Sequence, residues 1–162
     1  MGNFMNTTRF QWGSIVVVVG LLLFLRAHVT AEQLPMGDCN TPKPRTDLRH
    51  CVFWNKAFSG IDLHGALLDG VSLRGTNLTG CNLSGADLQN ADLTGSALEK
   101  ADFTRANLSG ASLKGVTLDE TIFSEANLDQ ADFKDAVIEN RDETWFRHAI
   151  NLPIHLQKML NQ

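Results

Sequence analysis

"GADLQNADLTGSALEKADFTRANL", Gly85 to Leu108, places a large apolar residue at every fifth position: Leu88, Leu93, Leu98, Phe103 and Leu108. Two residues before each stands a small one: Ala86, Ala91, Ser96, Ala101 and Ala106. An α-helix advances about 100° per residue, so successive large residues would fall about 140° apart around it and form no stripe. A flat strand fares no better, because residues five apart point to opposite faces. The residues between are mostly Asp, Asn, Ser, Thr, Gly, Glu, Lys and Gln. The chain must therefore turn once in every five residues to bring each large side chain to one interior.

The pattern extends in both directions. Large residues continue at every fifth position from Leu63 to Ile138, giving 16 units without insertion or deletion. The slot two residues earlier is small or apolar throughout, from Ile61 through Cys81 to Ala136. Phe53 and Phe58 carry the register back less cleanly, since Lys56 takes a small-residue slot. Gly closes many units, among them Gly65, Gly85 and Gly115. Gly accepts the positive φ that several tight turns need. Four such corners make a square coil, and stacked coils pair backbone to backbone at about 4.8 Å. Leu98 should then point inward and its neighbour Glu99 outward, so that changing Glu99 is near neutral.

"ADLQN", "ADLTG", "ADFTR", "ANLSG" and "ANLDQ" resemble the motif of the pentapeptide repeat family: a small residue, Asp or Asn, Leu or Phe, then two polar or small residues. The resemblance covers residues 51–138. It implies an all-β solenoid, a right-handed quadrilateral β-helix with four units per twenty-residue coil. Residues twenty apart then stack, Leu63 with Leu83, Phe103 and Phe123, and Cys81 between Ile61 and Ala101.

Outside the repeat the chain changes character. Arg9 precedes the apolar run "SIVVVVGLLLFL", Ser14 to Leu25, and Val29 and Ala31 suit a cleavage site after Ala31. Twelve residues fall short of the roughly 20 that span a bilayer, so residues 1–31 read as a secretory signal peptide, with an uncleaved signal anchor as the alternative. Residues 32–50 are expected to form an N-terminal capping loop. Cys39 and Cys51 flank its Pro-containing stretch "NTPKPRTDLRH", residues 40–50, and are expected to pair in an oxidising compartment, leaving Cys81 free. A metal site at Cys39, His50 and Cys51 lacks a fourth ligand, and no metal is expected. After Ile138 the period of five stops. Trp145, Phe146, Ala149 and Ile150 recur at helical spacing, so 139–162 are predicted to form a short α-helical C-terminal cap broken at Pro153. Trp145, Phe146 and Ile150 would cover the last coil or join two copies as a homodimer through C-terminal helices, as some family members do.

Nothing in the sequence points to catalysis: there is no Gly-rich phosphate loop and no nucleophile elbow, and no cofactor is expected. The net charge is −4; without residues 1–31 there remain 12 Lys and Arg against 18 Asp and Glu, which argues against nucleic acid or an anionic membrane as a partner. No membrane contact is expected once the signal is cleaved. One row differs. In the slot after each large residue of one face stand Arg74, Thr94, Lys114 and Lys134, a mostly basic stripe that could meet a protein partner. The expected function is a noncatalytic exported module, structural or protein-binding, in the periplasm, thylakoid lumen or cell exterior. The resemblance also implies an alternative, a DNA-mimicking protein that binds a topoisomerase such as gyrase. Its location and the weak acidity of the repeat argue against it.

Overall fold

The computed structural model describes residues 34–138 and 146–160. The predicted signal segment and Trp145 lie outside the described residues. Every unit of the repeat follows one path. The residue before the large one makes a parallel bridge to its counterpart twenty residues on, from Asp47↔Leu67 and Val52↔Ser72 through to Thr117↔Val137. Four units thus complete a coil.

The bonds explain the motif position by position. Each large residue donates its N–H to the coil above, as in Leu88 N–H to Asn107 C=O at 2.8 Å, and Asp87 N–H returns to Ala66 C=O below at 3.0 Å. Each large residue's carbonyl then accepts the N–H of the next small slot, three residues on, as in Leu83 C=O from Ala86 N–H at 3.1 Å. That closes a four-residue turn whose third residue has positive φ: Gly85 at 64° and Gly95 at 68°, but also Asn90 at 55°, Lys100 at 61° and Glu120 at 56°. A hydrogen-bonded turn with φ positive only at its third residue is a type II turn, which is why Gly is common at this position. Asp or Asn in the second position folds its side-chain oxygen back onto the N–H two residues on. Asp102 accepts from Thr104 at 2.8 Å, Asn77 from Thr79 at 3.0 Å and Asp92 from Thr94 at 3.0 Å. That N–H points away from the coil ladder, and the short side chain satisfies it.

The large residues fill the interior in four columns. Leu63, Leu83, Phe103 and Phe123 form the first; Leu48, Leu68, Leu88, Leu108 and Leu128 the second; Phe53, Leu73, Leu93, Leu113 and Phe133 the third; Phe58, Leu78, Leu98, Leu118 and Ile138 the fourth. All are buried except Ile138, which is partly so. Each contributes about 2 kcal/mol by leaving water, against the conformational entropy of ordering its unit. Polar residues in inward slots are satisfied from within. Ser96 Oγ donates to Leu73 C=O at 2.6 Å, Thr121 Oγ1 to Leu98 C=O at 2.7 Å, and Thr76 Oγ1 to Phe53 C=O.

Two boundaries differ from the sequence expectation. Leu48 is fully buried and donates to Leu67 C=O at 2.9 Å, so Thr46–His50 is itself a repeat unit. Beneath it, residues 35–37 add one more parallel rung: Gly37 N–H donates to Asp47 C=O at 2.9 Å, and Asp47 N–H to Pro35 C=O at 2.8 Å. At Gly37 a Cβ would collide with the Leu48 and Thr46 side chains, so only Gly lets this strand lie so close.

At the other end residues 146–150 are not α-helical. Phe146 N-terminates a turn, His148 takes φ 57°, and Ile150 bridges Asn127. The helical spacing of Phe146, Ala149 and Ile150 was a coincidence of another short period. The register of the coil resumes there with three extra residues, 23 rather than 20 after Phe123 and Asn127. Among the described residues the one α-helix, α1, runs Ile154–Leu160. Leu156 is fully buried, in contact with the core. Among the described residues no helix is long and apolar enough to cross a membrane.

Candidate interaction surface

The coil turns its polar residues outward in rows, so the surface is a set of ladders rather than a cleft. On the third-column face the fourth residue of one unit meets the second residue of the unit above, eighteen positions later. Arg74 Nη1 lies 2.9 Å from Asp92 Oδ2, and Lys114 Nζ lies 3.1 Å from Asp132 Oδ2. Between these two pairs, Thr94 Oγ1 and Ser112 Oγ share a hydrogen bond of 2.9 Å. Burial pushes the Asp92 carboxyl up, but bonds from Thr94 and Arg74 outweigh it and hold the group below its ordinary value. The basic stripe of Arg74, Lys114 and Lys134 is therefore not a bare row of cations: two of its three members face carboxylates. The spacing of eighteen, one coil less two residues, was the signal that would have revealed Asp92 and Asp132.

The fourth-column face carries a small depression lined by Glu99, Thr117, Leu118, Asp119 and Val137. Glu99 accepts from Thr117 Oγ1 at 2.5 Å and from Thr79 Oγ1 at 3.1 Å. Partial burial raises its carboxyl, but these hydroxyls and its backbone together lower it overall. Glu99 thus points outward from Leu98 as expected, and its carboxylate also ties three coils together. On the first-column face Arg105 Nε reaches Glu125 Oε2 at 2.7 Å, one full coil above.

At the N-terminal end the structure joins Cys39 and Cys51 in a disulfide with Cα atoms 5.4 Å apart. His50 Nε2 lies 3.6 Å from Cys51 Sγ. The ligand atoms of Cys39, His50 and Cys51 all fall within 4.8 Å of one another, but a disulfide offers no thiolate to a metal. Cys81 is free and buried, and its Sγ donates to Phe58 C=O at 2.8 Å. Burial pushes this thiol up, against smaller opposing effects of the Ile61 and Gly60 backbone. At the C-terminal end Phe146 is buried and stacked on Phe123, whereas Ile150 is 53% exposed.

The family model described as pentapeptide repeats matches residues 57–95 and 101–140, in 8 copies. No curated protein matches the sequence. Among solved structures, one similar chain is HetL, a pentapeptide repeat protein involved in heterocyst differentiation regulation from the cyanobacterium Nostoc sp. strain PCC 7120. It is 24% identical, over 65% of this chain and 59% of its own, with a TM-score of 0.32. A pentapeptide repeat protein from the Arabidopsis thaliana thylakoid lumen is also 24% identical, over 82% of this chain and 92% of its own, with a TM-score of 0.37. QnrB1, a plasmid-mediated fluoroquinolone resistance protein, is 15% identical over 78% of this chain and 76% of its own, with a TM-score of 0.28.

Proposed function

Because the chain belongs to the pentapeptide repeat family, we propose that it is a noncatalytic exported module that presents the outer ladders of its β-helix to a protein partner. The observation that carries this reading is the geometry of those ladders. Side chains from successive coils stand in rows at the strand spacing, already hydrogen-bonded to one another, as in Arg74–Asp92, Thr94–Ser112 and Lys114–Asp132. Such an array is rigid before it binds, so association costs little side-chain entropy. The apolar run Ser14–Leu25 and the Cys39–Cys51 bond support export.

Phe146 and the buried Leu156 of α1 support a C-terminal cap over the last coil. A parallel coil ends in unpaired backbone that would otherwise recruit another chain. Phe146 is spent on that cap, which leaves Ile150 and Ile154 as outward apolar residues for contact with a second copy.

The DNA-mimic alternative is weakened by pairing of the late acidic residues. Glu125 faces Arg105, Asp132 faces Lys114, and Lys100 lies 3.9 Å from Glu120. Sequencing the mature N-terminus tests the reading. A chain beginning at Glu32 in an exported fraction is expected. Intact Met1 in soluble cytoplasm would overturn export and restore the gyrase-binding alternative, whereas intact Met1 in a membrane fraction would replace cleavage with anchoring.

A further inference from the structure

The net negative charge of the whole chain conceals an asymmetry that appears once the axis of the β-helix is known. Residues 34–65, the rung beneath the first coil and the first coil itself, hold Lys43, Arg45, Arg49 and Lys56 against Asp38, Asp47 and Asp62. Residues 66–138 hold five Lys and Arg against 11 Asp and Glu. The N-terminal end is thus a positive cap on a negative body.

The cations also surround the coil. Arg45 donates its N–H to His64 C=O at 2.9 Å, so it sits at the corner below Gly65, and Lys43 is exposed in the loop that leads to it. Lys56 stands exposed below the fourth column, in a slot that is inward in later coils. None of these three makes an ion pair among the described residues, although Lys43 lies near enough to Asp38 to help lower its carboxyl, whereas Arg49 is 2.7 Å from Asp47. On the remaining face of the same coil Trp54 is 64% and Val52 68% exposed, and Met36 beneath the second column is 72% exposed.

We infer that this N-terminal end docks on a bilayer bearing anionic headgroups. The surface combines what such a partner selects: unpaired cations that gain from a negative leaflet, an indole that partitions to the headgroup level, and aliphatic side chains exposed beside it. In an uncleaved chain the apolar run Ser14–Leu25, upstream of Leu34, would add its own membrane affinity to that of this surface. Trp54 and Val52 stand at the foot of the third-column ladder, so a protein partner would take the coils above them, and this inference stands apart from the module reading. It revises the expectation of no anionic-membrane contact, which rested on total charge alone.

The test uses the full chain with Trp12→Phe and Trp145→Phe, leaving Trp54 as the one indole. Vesicles of phosphatidylcholine, alone or with a quarter phosphatidylglycerol, carry brominated acyl chains as quenchers. Expected is quenching and a blue shift of Trp54 with the anionic vesicles, and its loss in 0.5 M salt. Lys43→Gln, Arg45→Gln and Lys56→Gln together should weaken docking on the order of 100-fold, while Lys114→Gln and Lys134→Gln should leave it unchanged. Two results would overturn the inference: a chain that sediments with vesicles while Trp54 stays unquenched, so that the apolar run alone binds, or quenching indifferent to lipid charge and salt. The salt and lipid dependence of the unmodified cation set decides the matter even if the triple variant is unstable.

Discussion

The Phe146 ring stacks on Phe123 with centroids 5.0 Å apart and planes 14° apart, although 23 residues separate them rather than the 20 of every stacked pair below. Phe103 and Phe123, at the regular spacing, stack at 5.2 Å and 6°. Phe146 therefore continues the first column beyond Phe123. Phe146→Ala should cost about 3–5 kcal/mol, as for truncation of any well-packed core aromatic. Arg147→Ala, its exposed neighbour, should cost under about 0.5 kcal/mol. Chemical denaturation of both variants checks this; equal stability would mean that the end of the column does not hold the last coil.

The disulfide makes a separate prediction. Cys39 and Cys51 lie 12 residues apart and tie the rung at 35–37 to the first coil. Closing a loop of that length contributes about 3 kcal/mol in the chain-entropy view. Oxidised protein unfolded without reductant should expose one reactive thiol, that of Cys81. With reductant it should expose three, and the midpoint of thermal unfolding should fall by roughly 10 °C. Alkylation and mass measurement read the thiols directly, and three thiols without reductant would contradict the bond.

Much of this architecture is legible in the sequence because the period is short and its chemistry repeats. Leu63 to Ile138 could be placed inward from spacing alone, and in columns once the family resemblance supplied four units per coil. Leu48 could not, because "TDLRH" follows a Pro-containing loop and reads as part of it. Phe146 could not either: three added residues displace it from the register, and Phe146, Ala149 and Ile150 then imitate a helix. Contacts between coils were the harder class. Arg74–Asp92 and Glu99–Thr117 both span eighteen residues, a separation set by how a corner offsets one unit against the next. Charge polarity along the axis was invisible in a total of −4.

Lys100 occupies a corner at φ 61°. A β-carbon there costs about 1 kcal/mol or more that Gly would not incur, and its contact with Glu120 is exposed and contributes little. Lys100→Gly should therefore leave stability unchanged or raise it by about 0.5–1 kcal/mol, although Gly loses more entropy on folding. Gly85→Ala, at φ 64° with open space around its β-position, should destabilise by about 1 kcal/mol through strain alone. Parallel urea titrations of the two variants should move in opposite directions or, at the least, differ by that amount.

Leu98 and Glu99 are adjacent but act on opposite sides of the wall. Leu98→Asp puts an unpartnered charge in the fourth column and should prevent folding. Glu99 acts through acidity. Its carboxyl is held below the ordinary 4.5 after partial burial, which alone would raise it, is outweighed by the Thr117 and Thr79 hydroxyls and its own backbone. A carboxyl depressed on folding contributes stability that is complete above its unfolded value and is lost as pH falls through the lower, folded one. Native protein should thus hold constant stability from neutrality to about pH 5 and lose it progressively below about pH 4, with Asp92 contributing in the same sense. Glu99→Gln keeps the shape and offers the hydroxyls a neutral amide oxygen. It should lower stability near pH 7 by about 1 kcal/mol and flatten the acid limb, so that variant and parent converge below about pH 3. A gap that stays constant from pH 7 to pH 3 would show that the carboxylate's charge has no part in joining the coils.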